Sequence, residues 1–309
     1  SQPEYLGDRF KLRQISSLRM LRLCQNRPRF QGDNYSYGLV ADTHDNLPAT
    51  TWEGQTVSKQ FAIPTDLQLW GSEQATKARV EALLTQCQRV YFSHHAQARG
   101  DNPYSSGLEL AHGERLTVGE LLTPLWRLDA LDEVMLSCCE TGLHTSRSYI
   151  DEPISLATAF LCVGARGVIS SLWAVEDFST ALLTKFYSQF RQTEDRPTAL
   201  QKAQQRLRTL SKQELKAMLD DEGVLEFFDQ QIASTRNKRR ELAKQRDQHP
   251  KDSEAYETIQ AECYGLLKRQ ESFEHLFDHL EQITSSGGPQ HPFAAPYYWA
   301  AFTCQGLRD

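Results

Sequence analysis

The sequence predicts an α/β protein with a mostly parallel sheet and helices on both faces. The first observation behind this prediction is a series of short apolar runs, each about as long as a strand. The second is that segments with helical spacing of apolar residues lie between these runs, which is typical of βαβ units. The third is composition, because 309 residues that are 39% hydrophobic suffice for one large core, with or without a smaller unit beside it.

Six apolar runs predict the strands of this sheet. They are YGLVA (37–41), LQLW (67–70), RVYFSH (89–94), DEVMLSC (132–138), GVISSLW (167–173) and the closing YYWAAFTCQG (297–306). Between the third and fourth runs, SGLELAHGERL (106–116) predicts a hairpin that turns at His112 and Gly113.

The segments between the strands predict helices. They span 52–62, 72–87, 118–126, 153–164, 178–191 and 197–210. Thr76 is a suitable N-cap for the second of these, and Thr117 with Glu120 has the spacing of a capping box before the third. Pro153 suits the first turn of the fourth helix, which Gly164 is expected to end.

Residues 211–285 differ in composition from the rest, since they are rich in Glu, Lys, Arg and Gln. Apolar residues recur there at helical spacing and Pro250 interrupts them, which predicts two long antiparallel helices with a turn near 248–253. We therefore expect residues 1–210 and 286–309 to form one α/β domain, with 211–285 as an inserted α-helical hairpin. A surface insertion of this length costs little entropy to close.

Net charge and cysteine content argue against several classes of function. A net charge of −6 argues against a general affinity for nucleic acid or anionic membranes, and no apolar stretch is long enough to cross a bilayer. The seven cysteines are irregularly spaced and contain no C-x-x-C pair, so they predict neither a disulfide framework nor a common zinc site. We expect free thiols in a reducing cytoplasm, no metal and no cofactor. Because the sequence starts at Ser1 and not at Met, we also expect it to come from a longer protein.

Two predicted strand ends carry reactive side chains. One delivers SHHA (93–96) and the other SCCETG (137–142). In a doubly wound sheet, catalytic groups gather at the carboxyl ends of the strands, and a thiol beside an imidazole can cleave peptides. Successive strand residues point to opposite faces, so one member of each pair should pack while the other faces the cleft. Periodicity does not say which, and two buried thiols in a core remain an alternative.

Several ordered motifs resemble the CHAT domain family, the bacterial relatives of caspases and separases among the cysteine peptidases. The segments that carry the resemblance are VYFSHHA, SSGLEL with ERLTVGELL, VMLSCCETG, ISLATAFLCVGARGVISSLWAVED and PYYWAAF. The resemblance covers almost the whole chain and implies a caspase-like sheet.

The resemblance also implies roles for individual residues. It puts Cys139 at the position of the nucleophile and Cys138 where the family usually has alanine. It puts His95, not His94, at the position of the catalytic histidine.

Three neighbouring residues belong to the same implied site. Backbone N–H groups of Cys139 and Ala96 are the candidates for holding the oxyanion, although many relatives have glycine where Ala96 stands. Glu140 and Thr141 match the motif. We expect both side chains to have a structural role next to the nucleophile, because a carboxylate that pointed toward the thiol would disfavour the thiolate.

Asp177, in the segment LWAVED, has two interpretations. The corresponding region of separase-like relatives shapes the pocket for the residue before the cut, so Asp177 would bind substrate there and favour arginine or lysine. Alternatively, Asp177 only N-caps the helix that follows.

The resemblance implies a cytoplasmic cysteine endopeptidase that acts on proteins as a regulated signalling or defence effector. Relatives are often fused to tetratricopeptide-type repeats, so an upstream region of that type or an activating partner is expected. The alternative is a catalytically idle CHAT domain that serves as a protein-binding scaffold. It is disfavoured because an idle domain need not keep both His95 and Cys139.

Overall fold

The computed structural model describes residues 4–28, 30, 34–99, 101–138 and 154–309, which cluster into two compact units. The first unit contains the described residues of Ser1–His44, Thr50–Thr209 and Phe293–Asp309. The second contains Asp45–Ala49 and Leu210–Pro292.

The strands form two sheets in the described part of the chain. They are β1 Tyr37–Ala41, β2 Gln68–Trp70, β3 Arg89–Ser93, β4 Ala96–Gln97, β5 Gly107–Glu109, β6 Arg115–Thr117, β7 Glu133–Ser137, β8 Gly167–Ser171 and β9 Phe302–Gly306. The main sheet has the order β2-β1-β3-β7-β8-β9 and is parallel except that β9 runs antiparallel to β8. Strands β4, β5 and β6 form a small antiparallel sheet. The predicted mostly parallel sheet and the predicted β-hairpin of residues 106–116 are both confirmed.

The described part of the chain also forms helices of very different lengths. They are α1 Leu6–Arg9, α2 Leu18–Gln25, α3 Pro48–Gln60, α4 Gly71–Gln74, α5 Lys77–Gln86, α6 Val118–Leu121, α7 Leu156–Val163, α8 Asp177–Phe190, α9 Arg196–Thr209, α10 Lys212–Asp221, α11 Val224–Arg246, α12 Glu254–Thr284 and α13 Pro296–Trp299.

Several predicted boundaries were wrong. Helix α3 begins at Pro48 and not at residue 52, while α6 ends at Leu121 after little more than one turn. The closing strand begins only at Phe302, because Pro296 occupies the first turn of α13.

The predicted helix caps had mixed outcomes. The capping box of Thr117 and Glu120 is confirmed. Thr76 stands at the N-cap of α5, but its side chain makes no capping hydrogen bond. Helix α7 is capped by Ser155, whose hydroxyl accepts from the N–H of Thr158, and Pro153 lies outside the described residues.

Both faces of the main sheet are buried, and the two faces differ in chemistry. On one face, alternate residues of β3 and β7, such as Phe92 and Leu136, share an apolar core with α2, α5 and α7. On the other face lie polar groups of the same strands. There Ser93 donates to Glu53 of α3, and Glu133 accepts from Tyr187 of α8. The prediction of helices on both faces is confirmed.

The second unit contains three helices where two were expected. Helices α11 and α12 run antiparallel, since Phe228 lies near Phe273 while Arg246 donates to Gln260 at the other end of α11. The additional helix α10 arises because Gly223, at φ 61°, adopts the left-handed conformation and separates it from α11. The boundaries of 211–285 as an inserted domain stay a prediction.

Candidate active site

Neighbouring strands of the main sheet end at the same edge. In the parallel pair β3 and β7, Ser93 is the register partner of Ser137. His94 and His95 follow Ser93, and Cys138 follows Ser137. The register therefore brings the histidine pair and the start of the cysteine motif to one edge, where ligands collect in open parallel sheets.

His94 belongs to the core. It is 1% exposed, and its ring meets that of Phe92 with centroids 5.7 Å apart. Its Nδ1–H donates to the carbonyl oxygen of His95 at 2.8 Å, while Nε2 has no hydrogen-bond partner among the described residues. Burial lowers the pKa of His94 to about 3, so its imidazole is neutral at physiological pH.

Cys138 packs on the same face as His94. Its side chain belongs to the apolar core, and its thiol donates to the carbonyl oxygen of Phe92 at 3.5 Å. Its own carbonyl oxygen accepts from the hydroxyl of Ser171 in β8 at 2.6 Å. Cys138 therefore has the surroundings of a small buried hydrophobic residue.

His95 has different surroundings. It is half-buried, and its ring lies edge-on to that of His44 at a centroid distance of 5.6 Å. Burial lowers the pKa of His95, the proximity of His44 lowers it further, and the carboxylate of Glu109 acts in the opposite direction. A neutral imidazole at physiological pH can accept a proton from a nearby thiol.

The polar neighbours of His95 were missed by the sequence analysis. The hydroxyl of Thr43 donates to the carbonyl oxygen of Glu109 at 2.8 Å and lies 3.0 Å from Nδ1 of His44. Nε2 of His44 lies 3.9 Å from Oε2 of Glu109. The other carboxylate oxygen of Glu109, Oε1, accepts a hydrogen bond from Arg115. Thr43 and His44 lie two and three residues after the end of β1, so the rule that pointed to the ends of β3 and β7 would have found them.

The remaining predicted site residues divide into two groups. Cys139, Glu140 and Thr141 lie outside the described residues. Ala96 is described, as the first residue of β4, where it pairs with Leu108 of β5.

Asp177 is the first residue of α8, which follows the carboxyl end of β8. The N-cap is the preceding residue, Glu176, whose carboxylate accepts from the N–H groups of Phe178 at 3.0 Å and Ser179 at 2.7 Å. The interpretation of Asp177 as the N-cap was therefore wrong. Glu176 was overlooked because glutamate is not among the preferred capping residues.

An apolar cavity of about 360 Å³ lies elsewhere in the first unit, between residues 5–14 and the start of β9. Of the predicted site residues that the structure describes, His95, Ala96 and Asp177, none lines it. Within the described ranges, no cluster of three or more His, Cys, Asp or Glu side chains is arranged to hold a metal ion. No helix in the part of the chain that the structure describes is long and apolar enough to span a bilayer.

The mostly parallel sheet with helices on both faces is the caspase-like architecture that the sequence predicted, and the half-buried His95 lies just beyond the carboxyl end of the central strand β3. The chain belongs to the CHAT domain family, whose family model matches residues 1–307. The predicted resemblance is confirmed.

Comparison with solved structures found gingipains at low similarity. The crystal structure of the Arg-specific cysteine proteinase gingipain R (RgpB) is 8% identical, with a TM-score of 0.41 over 55% of this chain and 41% of that one. The complex of the Porphyromonas gingivalis RgpB pro- and mature domains is also 8% identical, with a TM-score of 0.37 and the same coverage. This chain thus spans about two fifths of the gingipain chains it matches. No curated protein matches the sequence.

Proposed function

We propose that this protein is a cysteine endopeptidase that cleaves proteins through Cys139 and His95. One observation carries the proposal: the structure buries His94 and Cys138 together in one core face, while it leaves His95 half-buried in a polar cluster. Since side chains alternate along β3 and β7, the residue after each buried one is the better candidate for the cleft.

The proposed reaction uses two groups of the chain. The imidazole of His95 accepts the thiol proton of Cys139, and the thiolate attacks the scissile carbonyl carbon. The oxyanion is held by the backbone N–H groups of Cys139 and Ala96. His95 then gives its proton to the departing amine as the C–N bond breaks, which leaves a thioester. Water, deprotonated by His95, attacks the thioester, and this releases the carboxylic acid and the thiol. Glu140 and Thr141 are proposed to support the nucleophile without contacting substrate.

A thiol-reactive peptide probe tests this function directly. An acyloxymethyl ketone on a short peptide should label the wild-type protein, and peptide mapping should find the label on Cys139. Cys139→Ala should abolish labelling, whereas Cys138→Ala should retain it, since Cys138 lies in the core. If Cys139→Ala is labelled like the wild type, or the folded wild type takes no label, the peptidase proposal fails. The latter result would favour the scaffold role.

We also propose that Asp177 binds a basic side chain before the scissile bond. Asp177 is half-buried and follows β8, whose carboxyl end lies at the same sheet edge as that of β7. A partly dry carboxylate there favours arginine or lysine through charge-assisted hydrogen bonds.

Matched peptides test this preference. Arg and Lys peptides should be cleaved at least about tenfold faster than Leu or Asp peptides, since a charge-assisted hydrogen bond contributes about 1.5–3 kcal/mol. Asp177→Asn should remove most of this difference without reducing cleavage of the Leu peptide. A wild-type preference for an uncharged residue contradicts the assignment.

The wider role is proposed from family membership. We propose a bacterial, cytoplasmic effector in signalling or defence, controlled by an upstream tetratricopeptide-type region or by an activating partner. In this proposal the helical region 211–285 is an insertion into the peptidase domain. No disulfide bond joins the six cysteines that the structure describes.

A further inference from the structure

A buried carboxyl group lies behind the strand ends that carry the candidate site. Glu53, on α3, is 2% exposed, and its Oε2 accepts from the hydroxyl of Ser93 at 2.7 Å. Ser93 is the register partner of Ser137, whose hydroxyl accepts from Thr184 of α8 at 3.3 Å. In sequence, Ser93 stands two residues before His95, and Ser137 two residues before Cys139.

An aromatic contact also joins α3 and α8, the helices that carry Glu53 and Thr184. Next to Glu53 in the sequence, Trp52 stacks on Phe178 of α8 with ring centroids 5.4 Å apart. Burial raises the pKa of Glu53 to about 7, while the hydroxyls of Ser93, Ser137 and Thr184 act to lower it. Oε1 of Glu53 has no hydrogen-bond partner among the described residues. A buried carboxyl group that is only partly satisfied lowers stability relative to an apolar side chain of similar size.

We propose that Glu53 is a positioning residue for the peptidase site, holding the carboxyl ends of β3 and β7 at the separation that His95 and Cys139 require. This inference rests on the proposed cysteine–histidine chemistry. The link is short on the β3 side, because one hydrogen bond and one intervening residue separate the Glu53 carboxyl group from His95. On the β7 side, Thr184 of α8 donates to Ser137, the register partner of Ser93, so α3 contacts the end of β3 while α8 contacts the adjacent end of β7.

Positioning of this kind has a recognisable kinetic signature. Glu53 is buried, so it does not bind substrate, and its loss should leave substrate affinity nearly unchanged. Proton transfer and thiolate attack depend steeply on the distance between the reacting atoms, so a small displacement of a strand end slows the chemical step.

Two substitutions of Glu53 separate positioning from simple filling of space. Glu53→Leu keeps the volume but removes every hydrogen bond, whereas Glu53→Gln keeps an oxygen that can accept from Ser93. The measurement is the inactivation rate constant kinact and the inhibition constant KI of the acyloxymethyl ketone peptide probe at Cys139. We expect Glu53→Leu to lower kinact at least tenfold with KI changed less than twofold, and Glu53→Gln to restore kinact to within about threefold of wild type.

Matched controls keep the inference falsifiable. Ser188→Ala removes another buried hydroxyl of α8, one that donates within its own helix to the carbonyl oxygen of Lys185, and it should leave kinact unchanged. If Glu53→Leu does not fold by circular dichroism, Ser93→Ala takes its place, with an expected loss of about threefold to tenfold in kinact. A folded Glu53→Leu or Ser93→Ala variant with wild-type kinact overturns the positioning role while the peptidase proposal stands. Failure of the wild type to be labelled at Cys139 refutes the peptidase proposal itself.

Discussion

Replacing His95 with alanine should lower kcat/KM for a cleaved peptide by about 10³-fold, which corresponds to about 4 kcal/mol of activation free energy. Without the imidazole, the thiol of Cys139 must ionise unaided and the amine must depart without a proton donor. The neutral state that the surroundings of His95 favour is the one that can accept the thiol proton. The measurement is the rate of hydrolysis of a fluorogenic peptide that the wild type cleaves.

His94→Asn is the matched control for this prediction. The asparagine amide can still donate to the carbonyl oxygen of His95, as Nδ1–H of His94 does in the structure. Because His94 is buried and packs beside Phe92, its replacement should lower thermal stability but leave kcat/KM of the folded protein within a few-fold of wild type. The reverse pattern, with activity lost in His94→Asn and kept in His95→Ala, would show that the catalytic histidine is His94 and not His95.

Replacing Glu133 with glutamine should destabilise the protein by roughly 3–5 kcal/mol, the largest loss of stability that we expect from a single substitution. Glu133, the first residue of β7, is fully buried at the sheet edge opposite the candidate site. Its Oε2 accepts from Arg191 at 2.8 Å and from Arg196 at 3.0 Å, and its Oε1 accepts from Tyr187 at 2.6 Å. The variant leaves these guanidinium groups without their shared counter-charge.

The same carboxylate makes stability depend on pH. Burial alone would raise the pKa of Glu133, but the charges of Arg191, Arg196 and Arg89 outweigh burial and hold this pKa well below the ordinary 4.5. A lowered pKa in the folded state means that the stabilisation is complete above pH 4.5 and is lost as the pH falls toward the folded-state value. Urea unfolding at several pH values should therefore show a smaller difference between the wild type and Glu133→Gln in acid than at pH 7.

An exposed ion pair provides the control for Glu133→Gln. Glu241 pairs with Lys244 on the surface of α11, and Glu241→Gln should change the free energy of unfolding by less than about 1 kcal/mol. A loss of less than about 1.5 kcal/mol in Glu133→Gln, with an unchanged urea m value, would show that the arginines find other partners when the charge is removed.

Local sequence determined most of the secondary structure of the first unit. Runs of β-favouring residues such as those of β1 and β3 form strands wherever a sheet is available, so both were predicted to within about one residue. The capping box at Thr117 was predicted for the same reason, since its hydrogen bonds join residues only three positions apart. The predicted helix boundaries were wrong where contacts between residues distant in sequence set the end of a helix, as at the start of α3 and the end of α6.

The candidate site could be predicted only in part. Periodicity of two established that one member of each pair, His94 with His95 and Cys138 with Cys139, should be buried, but not which one. The burial of His94 and Cys138 depends on Phe92 and on helices distant in sequence, so it is a tertiary property. The pattern of residues along the chain does not show which side chains these helices will bury.

By itself, the sequence determined the family, the mostly parallel sheet and the two strand ends that bear histidine and cysteine, because these depend on local preference and on the order of motifs along the chain. Only the tertiary structure decided that His44 and Glu109 surround His95, and that Glu53 lies behind Ser93. The contacts of His44 with His95 and Glu109, and of Glu53 with Ser93, join residues 40 or more positions apart. They form when the helices pack on the sheet and exclude water, which no local pattern of residues encodes.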